Sequence, residues 1–241
     1  MSAREVQILQ RLAVLVVCHG FAAGHVTSQY FLVQSPMSWL RAREFCQRHY
    51  VDLAVLNSEE KYFTLLDATS ESKVSFWLGL RRRPIAPEWR WVSGEELGYQ
   101  HWYRENYEGQ CASLEAMLKN DKLLARHCTE QHMAVCQGPV TPQSVTVESV
   151  GVDHVALSWN VSAVMLQIPH SYDVTIRQST GDTHLLYPFA NNSSVIRIRI
   201  SDLTLTAEYF IQISAVVVRP DSVTGGNRTL RDNPVTLHIK T

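Results

Sequence analysis

Hydrophobic and polar positions along the chain change their period near residue 140. Before that point, SPMSWLRAREFC opens on Ser and Pro and then sets Trp39, Ala42 and Cys46 at spacings of three and four, which predicts an amphipathic helix. NSEEKYFTLLDA predicts a second helix, with Asn57 and Glu60 at capping-box spacing and Tyr62, Leu65 and Leu66 as its apolar stripe. Short β-like runs follow: SFWLGL, EWRWV, QCASLEAM and HMAVC. After Pro142 the period becomes two. Val155, Leu157 and Trp159 share one face of a strand, as do Tyr172, Val174 and Ile176, then Ile196, Ile198 and Ile200, then Tyr209, Ile211 and Ile213. About seven short strands over about 100 residues suit a β-sandwich. The boundary is predicted at QGPVTP, Gln137 to Pro142.

The first residues follow neither pattern. Arg4 and Arg11 flank a polar start, LAVLVVC is a short apolar run, and GFAAG supplies small residues, so residues 1–24 read as a secretory signal peptide cleaved near Ala22 or Gly24. The competing reading, a buried N-terminal helix, is interrupted early by His19-Gly20. No later segment holds the ~20 apolar residues of a spanning helix, so no membrane span is expected in this chain. The expected location is secreted or extracellular, or the ectodomain of a membrane protein. Losing the signal also removes Cys18 and leaves an even set, Cys46, Cys111, Cys128 and Cys136, which suits disulfides and lacks the C-x2-C pairs of a zinc site. Four cysteines allow three pairings.

Charge removes further classes. Lys and Arg number 22 against 23 Asp and Glu, so no global field draws the chain to nucleic acid. G-x-S-x-G, H-E-x-x-H, phosphate-loop and dinucleotide fingerprints are all missing, and an enzyme is not expected. His127, Cys128 and His132 form the nearest approach to a metal cluster, and a disulfide at Cys128 would dissolve it.

YFLV, SWLRAREFC, LAVLNSEEKYFTLL, the WLGL of Trp77 to Leu80, EWRWVSG of Glu88 to Gly94, and Cys111, Cys128 and Cys136 occur in an order that resembles the C-type lectin-like domain, over residues 28–138. The resemblance implies an α+β fold of two helices and antiparallel strands with two disulfides, Cys46 to Cys136 and Cys111 to Cys128. It also implies a core containing Trp77, Leu78, Leu80 and either Trp89 or Trp91. Sugar-binding members of that family hold calcium through a Glu-Pro-Asn-like or Gln-Pro-Asp-like triplet in the long loop and a Trp-Asn-Asp triplet just before the third cysteine. Here Leu123, Leu124 and Ala125 stand at the second triplet, and Asn120-Asp121 comes about four residues too early, where it reads as a polar turn between strands. Calcium takes about 6–8 oxygen ligands, which Leu124 and Ala125 side chains cannot supply. The long loop, YRENYEGQ, is short, and Glu105-Asn106 lacks the intervening proline.

The departure implies the protein-binding branch of the family, with no metal or other cofactor, calcium being the alternative. Candidate contact residues are Tyr103, Arg104, Glu105, Asn106 and Tyr107, together with Arg81, Arg82 and Arg83. Trp102 reads as core. The arginine run reads as a solvated turn before Pro84, with a sulfated glycan or similar anionic partner as the alternative.

LSWN, Tyr172 on the following strand, and SDLTLTAEYFIQISAV with Leu203 six residues before Tyr209 resemble a fibronectin type III domain over residues 142–241. The resemblance implies that Tyr209 forms a tyrosine corner and that Trp159 fills the core. Members that bind integrins do so through Arg-Gly-Asp; Arg219-Pro220-Asp221 stands at the corresponding place, which implies a spacer. Sequons begin at Asn160, Asn191, Asn192 and Asn227, and alternation turns Asn160 away from Trp159, outward. Glycans there would leave the first domain bare for contact. The expected function is extracellular recognition or adhesion, with a cell-surface or extracellular protein as ligand bound without calcium. The alternatives are a calcium-dependent, carbohydrate-binding lectin using Glu105 and Asn106, and a matrix module with no discrete ligand.

Overall fold

The strands and helices of the first half are laid around one central sheet in the computed structural model of the protein. The structure describes residues 30–84, 86–99, 102, 108–115, 123–189, 193–221 and 224–241. The stretch read as a signal peptide lies outside the described residues. In chain order come β1 (Tyr30–Met37), α1 (Trp39–His49), β2 (Asp52–Leu53), α2 (Glu59–Thr69), β3 (Ser75–Arg83), β4 (Ala86–Trp91), β5 (Cys111–Glu115), β6 (Leu123–Arg126) and β7 (His132–Gln137).

Helix α1 forms where its spacing predicts, and Trp39, Ala42 and Cys46 are its buried residues. The Trp39 indole Nε1 donates to the Leu78 carbonyl at 2.8 Å, so this large side chain is buried without an orphaned donor. In α2, Tyr62 and Leu65 are buried and Leu66 is partly so. Its cap differs from the sequence expectation. Ser58, extended at φ −144°, is the N-cap and accepts from Lys61 N, whereas the Asn57 amide turns away to donate to Glu95 at 2.8 Å.

The sheet runs β1-β7-β3-β5-β6, with β2 also on β7 and β4 also on β3. β1 and β7 pair antiparallel from Tyr30 opposite Gln137, which closes the first half into one unit. β3 is central and runs parallel to β7. Five consecutive residues of β3, Phe76 to Leu80, are buried because both sheet faces are covered. Phe76, Leu78 and Leu80 join the cluster with Tyr62 and Leu65, while Trp77 joins Trp39 and Cys46 on the other face. Gly79 is required by close approach: a Cβ there would stand 2.7 Å from Val92 Cγ2 and 3.0 Å from the Ala54 carbonyl. Disulfides join Cys46 to Cys136 and Cys111 to Cys128.

The second half contains β8 (Thr146–Val150), β9 (Val155–Asn160), β10 (Ser171–Gln178), β11 (Gly181–Pro188), β12 (Val195–Ile200), β13 (Glu208–Pro220), β14 (Asn227–Arg231) and β15 (Val235–Lys240). They make a three-stranded sheet, β12-β9-β8, and a five-stranded one, β11-β10-β13-β14 with β15 also on β13. The inward faces are the alternating residues named above, with Leu157, Trp159, Tyr172, Val174, Ile198, Ile200, Ile211 and Ile213 in a single core. Tyr209 is buried, and its hydroxyl accepts from Thr204 N at 2.6 Å. Among the strands not singled out by alternation, β8 is exposed throughout, and β11 is mostly exposed with only Leu185 and Tyr187 packed against the core.

The two halves share packing. Val51, just beyond the end of α1, and Val140, in the boundary segment, belong to the core of the second half. Helix α1 ends against that half: Arg219 Nε donates to the Tyr50 carbonyl at 2.6 Å, and Arg228 donates to the His49 carbonyl at 3.0 Å with its guanidinium 5.1 Å over the Tyr50 ring. These carbonyls are the orphan acceptors at the negative end of the helix dipole, so two cations from the other half satisfy them. Burial holds the Arg219 guanidinium below its usual pKa, and its bond to Tyr50 is partly buried where that of Arg228 to His49 is exposed. A charge-assisted hydrogen bond of this kind contributes about 1.5–3 kcal/mol, an exposed one about 0.2–1. Arg219→Ala should therefore split thermal unfolding into two calorimetric transitions, with Arg228→Ala having the smaller effect. A single unchanged transition in the double variant would remove the arginines from the coupling.

Candidate recognition surface

The edge of the first sheet farthest from β1 is the β5–β6 hairpin, with Ala112 opposite Ala125 and Ser113 opposite Leu124. Leu123, Leu124 and Ala125 are at most 5% exposed, so their positions face packed protein. Asn120 and Asp121, between these strands, lie outside the described residues.

Beside the hairpin is a chain of charges that the sequence did not single out. The buried Glu115 carboxylate accepts from Ser113 Oγ and from Ser75 Oγ, each at 2.6 Å. Arg126 stands 3.2 Å from Glu115 and 3.7 Å from Glu130, and Glu130 accepts from His127 N at 2.8 Å. Burial pushes the Glu130 carboxyl up, but the His127 amide, His132 and Arg126 together hold it below the usual carboxylate range. The protein thus supplies its own cation, Arg126, to the carboxylates of this corner. Among the described residues, no group of three or more His, Cys, Asp or Glu is placed to hold a metal ion. Local sequence pattern carries no signal for the Glu115 to Arg126 pair, because it arises only once the hairpin register is known.

Tyr103, Arg104, Glu105, Asn106 and Tyr107 lie outside the described residues. Their neighbours are placed. Trp102 is half-buried and packs tilted against Trp89, with ring centroids 4.8 Å apart and the planes 42° from parallel. Gly109 packs so closely on Arg126 that a Cβ would meet its backbone at 2.5 Å, and the Gly109 carbonyl accepts from Arg82 Nε at 2.7 Å. Both ends of the loop are fixed to the sheet.

The arginine run is not a turn. Arg81, Arg82 and Arg83 continue β3, pairing with β4 through Arg81 opposite Arg90 and Arg82 opposite Trp89. The reason is visible in the side chains, whose guanidinium groups lie over tryptophans: Arg81 is 5.4 Å from the Trp39 ring centre and Arg82 is 5.1 Å from that of Trp89. Arg82 is consumed by Gly109 and Trp89. Arg81 and Arg83 are exposed on one face of the ribbon with Arg90, which pairs with Glu96 at 2.9 Å.

The model of the lectin C-type domain family matches residues 35–138. Residues 35–138 are a C-type lectin domain. Among curated proteins, human C-type lectin domain family 17, member A is 32% identical over 89 residues, covering 35% of this chain and 23% of that protein. Human early activation antigen CD69 is 27% identical over 116 residues, covering 48% of this chain and 54% of that protein. The chain thus spans about half or less of the length of these two relatives. Ovocleidin-17 of the Gallus gallus eggshell has a solved structure with a TM-score of 0.45 and 25% identity, covering 50% of this chain and 98% of that one. The family supports a recognition role for the lectin domain and is consistent with no enzymatic activity. Among the described residues no helix is long and apolar enough to cross a membrane.

The sequons are placed in part. Asn160 is exposed at the end of β9 and Asn227 is exposed at the start of β14, while Asn191 and Asn192 lie outside the described residues.

Proposed function

We propose that the protein is an extracellular recognition protein whose C-type lectin domain binds a protein ligand without calcium, carried on a fibronectin type III domain over residues 142–241. The observation that carries the first part is the hairpin corner. Leu124 and Ala125 offer buried carbon where oxygen ligands would stand, and the nearby carboxylates are neutralised by Arg126. Surface complementarity is then the mechanism, with the Cys111 to Cys128 bond and the Gly109 contact holding the chain that follows the candidate residues Tyr103 to Tyr107. The second part is supported by the three-plus-five arrangement of strands and by the hydrogen bond to the Tyr209 hydroxyl, the geometry of a tyrosine corner. Arg219, at the place of an integrin-binding arginine, is turned inward to α1, which supports a spacer. Secretion and glycosylation at the sequons belong to the same reading.

A second reading is favoured by Arg81 and Arg83, exposed on one face beside Arg90: an anionic glycan could bind there by charge. A glycan array probed with the secreted protein in millimolar calcium and again in chelator tests both. The expected result is no glycan bound in either condition. Binding lost in chelator would overturn the calcium-free reading in favour of a true lectin, and salt-sensitive binding in both conditions would favour the arginine face.

A further inference from the structure

Between the lectin domain and the second half lies a cleft of about 400 Å³, within the roughly 300–1,000 Å³ of small-molecule sites. One wall is a polar network of the lectin domain. Lys61 Nζ donates to Asn57 Oδ1 at 2.7 Å, the Asn57 amide donates to Glu95 Oε1 at 2.8 Å, and Ser93 Oγ donates to Glu95 Oε2 at 2.7 Å. This network ties the start of α2 to the turn after β4, so the wall is held before anything enters. The Lys61 ammonium keeps donors beyond the one spent on Asn57, since it has three. The facing wall is Asn160 with the residues that follow it, Val161 among them.

Asn160 is therefore a sequon asparagine that both points to solvent and lines the cleft. Its neighbour Trp159 is buried in the sandwich core, and alternation sends the Asn160 amide the other way. A chain of sugars begun on that amide starts inside the cleft. The chemistry of the opposite wall suits it: an N-acetylglucosamine presents hydroxyls, an acetamide and apolar C–H faces, while the cleft presents an ammonium, an amide, a carboxylate and the side chains of Val55 and Val161.

We propose that the N-linked glycan on Asn160 is a built-in wedge whose innermost sugars lie in this cleft against Asn57, Lys61 and Glu95 and fix the angle between the two halves. The inference rests on the reading of the protein as a secreted glycoprotein. Asn227 provides the internal control, since it is exposed on β14 and does not line the cleft.

The test uses the full chain secreted from animal cells. Mass spectrometry of glycopeptides first gives occupancy at each asparagine, and native protein is then treated with peptide N-glycosidase and sampled over time. Release from Asn160 should be on the order of tenfold slower than from Asn227, as for a group protected by a local contact, and the two rates should converge after denaturation and reduction. Lys61→Ala, which removes the cleft's ammonium and leaves both cores intact, should bring the native Asn160 rate toward that of Asn227. An unmodified Asn160 would overturn both the wedge and the glycoprotein reading at that position. A modified Asn160 released as fast as Asn227 would overturn the wedge alone, as would slow release that Lys61→Ala leaves unchanged.

Discussion

Replacing Cys46 and Cys136 together with alanine should lower the unfolding free energy by about 4.5 kcal/mol, against about 3 kcal/mol for the same change at Cys111 and Cys128. The difference comes from the loops closed in the unfolded chain, which span 90 residues in the first case and 17 in the second. The longer bridge joins α1 to β7, the strand that also pairs with β1, β2 and β3, so it ties the helix to the strand that gathers the sheet. Both sulfurs are buried in the cluster with Trp39 and Trp77, and alanine leaves a void there in addition to freeing the unfolded chain. A domain of this size has a net stability of about 5–15 kcal/mol, so the long-loop variant should sit near the threshold of folding at 37 °C. Urea unfolding followed by tryptophan fluorescence measures both. A larger loss from the short loop than from the long one would mean that native packing around the sulfurs, and not chain entropy, sets their contribution.

How much of this was legible in the sequence depends on the distance over which each contact acts. Trp39, Ala42 and Cys46 were readable because one helix turn places them together, and the inward faces of β9, β10, β12 and β13 were readable because alternation needs no partner. The Ser58 cap was missed by one residue, since Asn57 has capping chemistry but is drawn to Glu95, 38 positions away. The arginine run looked like a turn because three charges carry no apolar period, whereas its strand is set by register with Trp89 and Arg90. The largest gap is the junction. Arg219 and Arg228 meet α1 across separations of 169 and 179 residues, and Val51 and Val140 enter a core whose other members come after residue 150. No periodicity spans such distances. For the candidate site, the family resemblance implied that Leu124 and Ala125 stand where oxygen ligands would be, but it did not reveal Arg126 as the cation that satisfies Glu115.

That internal cation makes the calcium question decidable by a gain-of-ligand experiment. Leu124→Asn with Ala125→Asp writes the side chains of a calcium-binding strand into β6, and the expected outcome is a less stable protein that gains nothing from calcium. Removing the buried Leu124 side chain forfeits about 1.5–3 kcal/mol, and the amide left in its place costs about 1–3 kcal/mol more if unpaired. The second substitution would carry a carboxylate into a site only 4% exposed, where it must be neutralised or paired. The single variant Ala125→Asp guards against a double variant that does not fold. A protein that bound calcium at one hundred times its Kd would gain about 2.7 kcal/mol, which calorimetry in millimolar calcium and in chelator would detect as a shift in Tm. The native protein and both variants should melt at the same temperature in the two buffers. A calcium-dependent rise in the variants alone would show that oxygens from the loop at residues 103–107 complete a site once β6 supplies its share, so that only Leu124 and Ala125 stand between this domain and metal binding. A rise in the native protein would remove the physical basis of calcium-free recognition altogether, because the buried carbon of β6 is what that reading stands on.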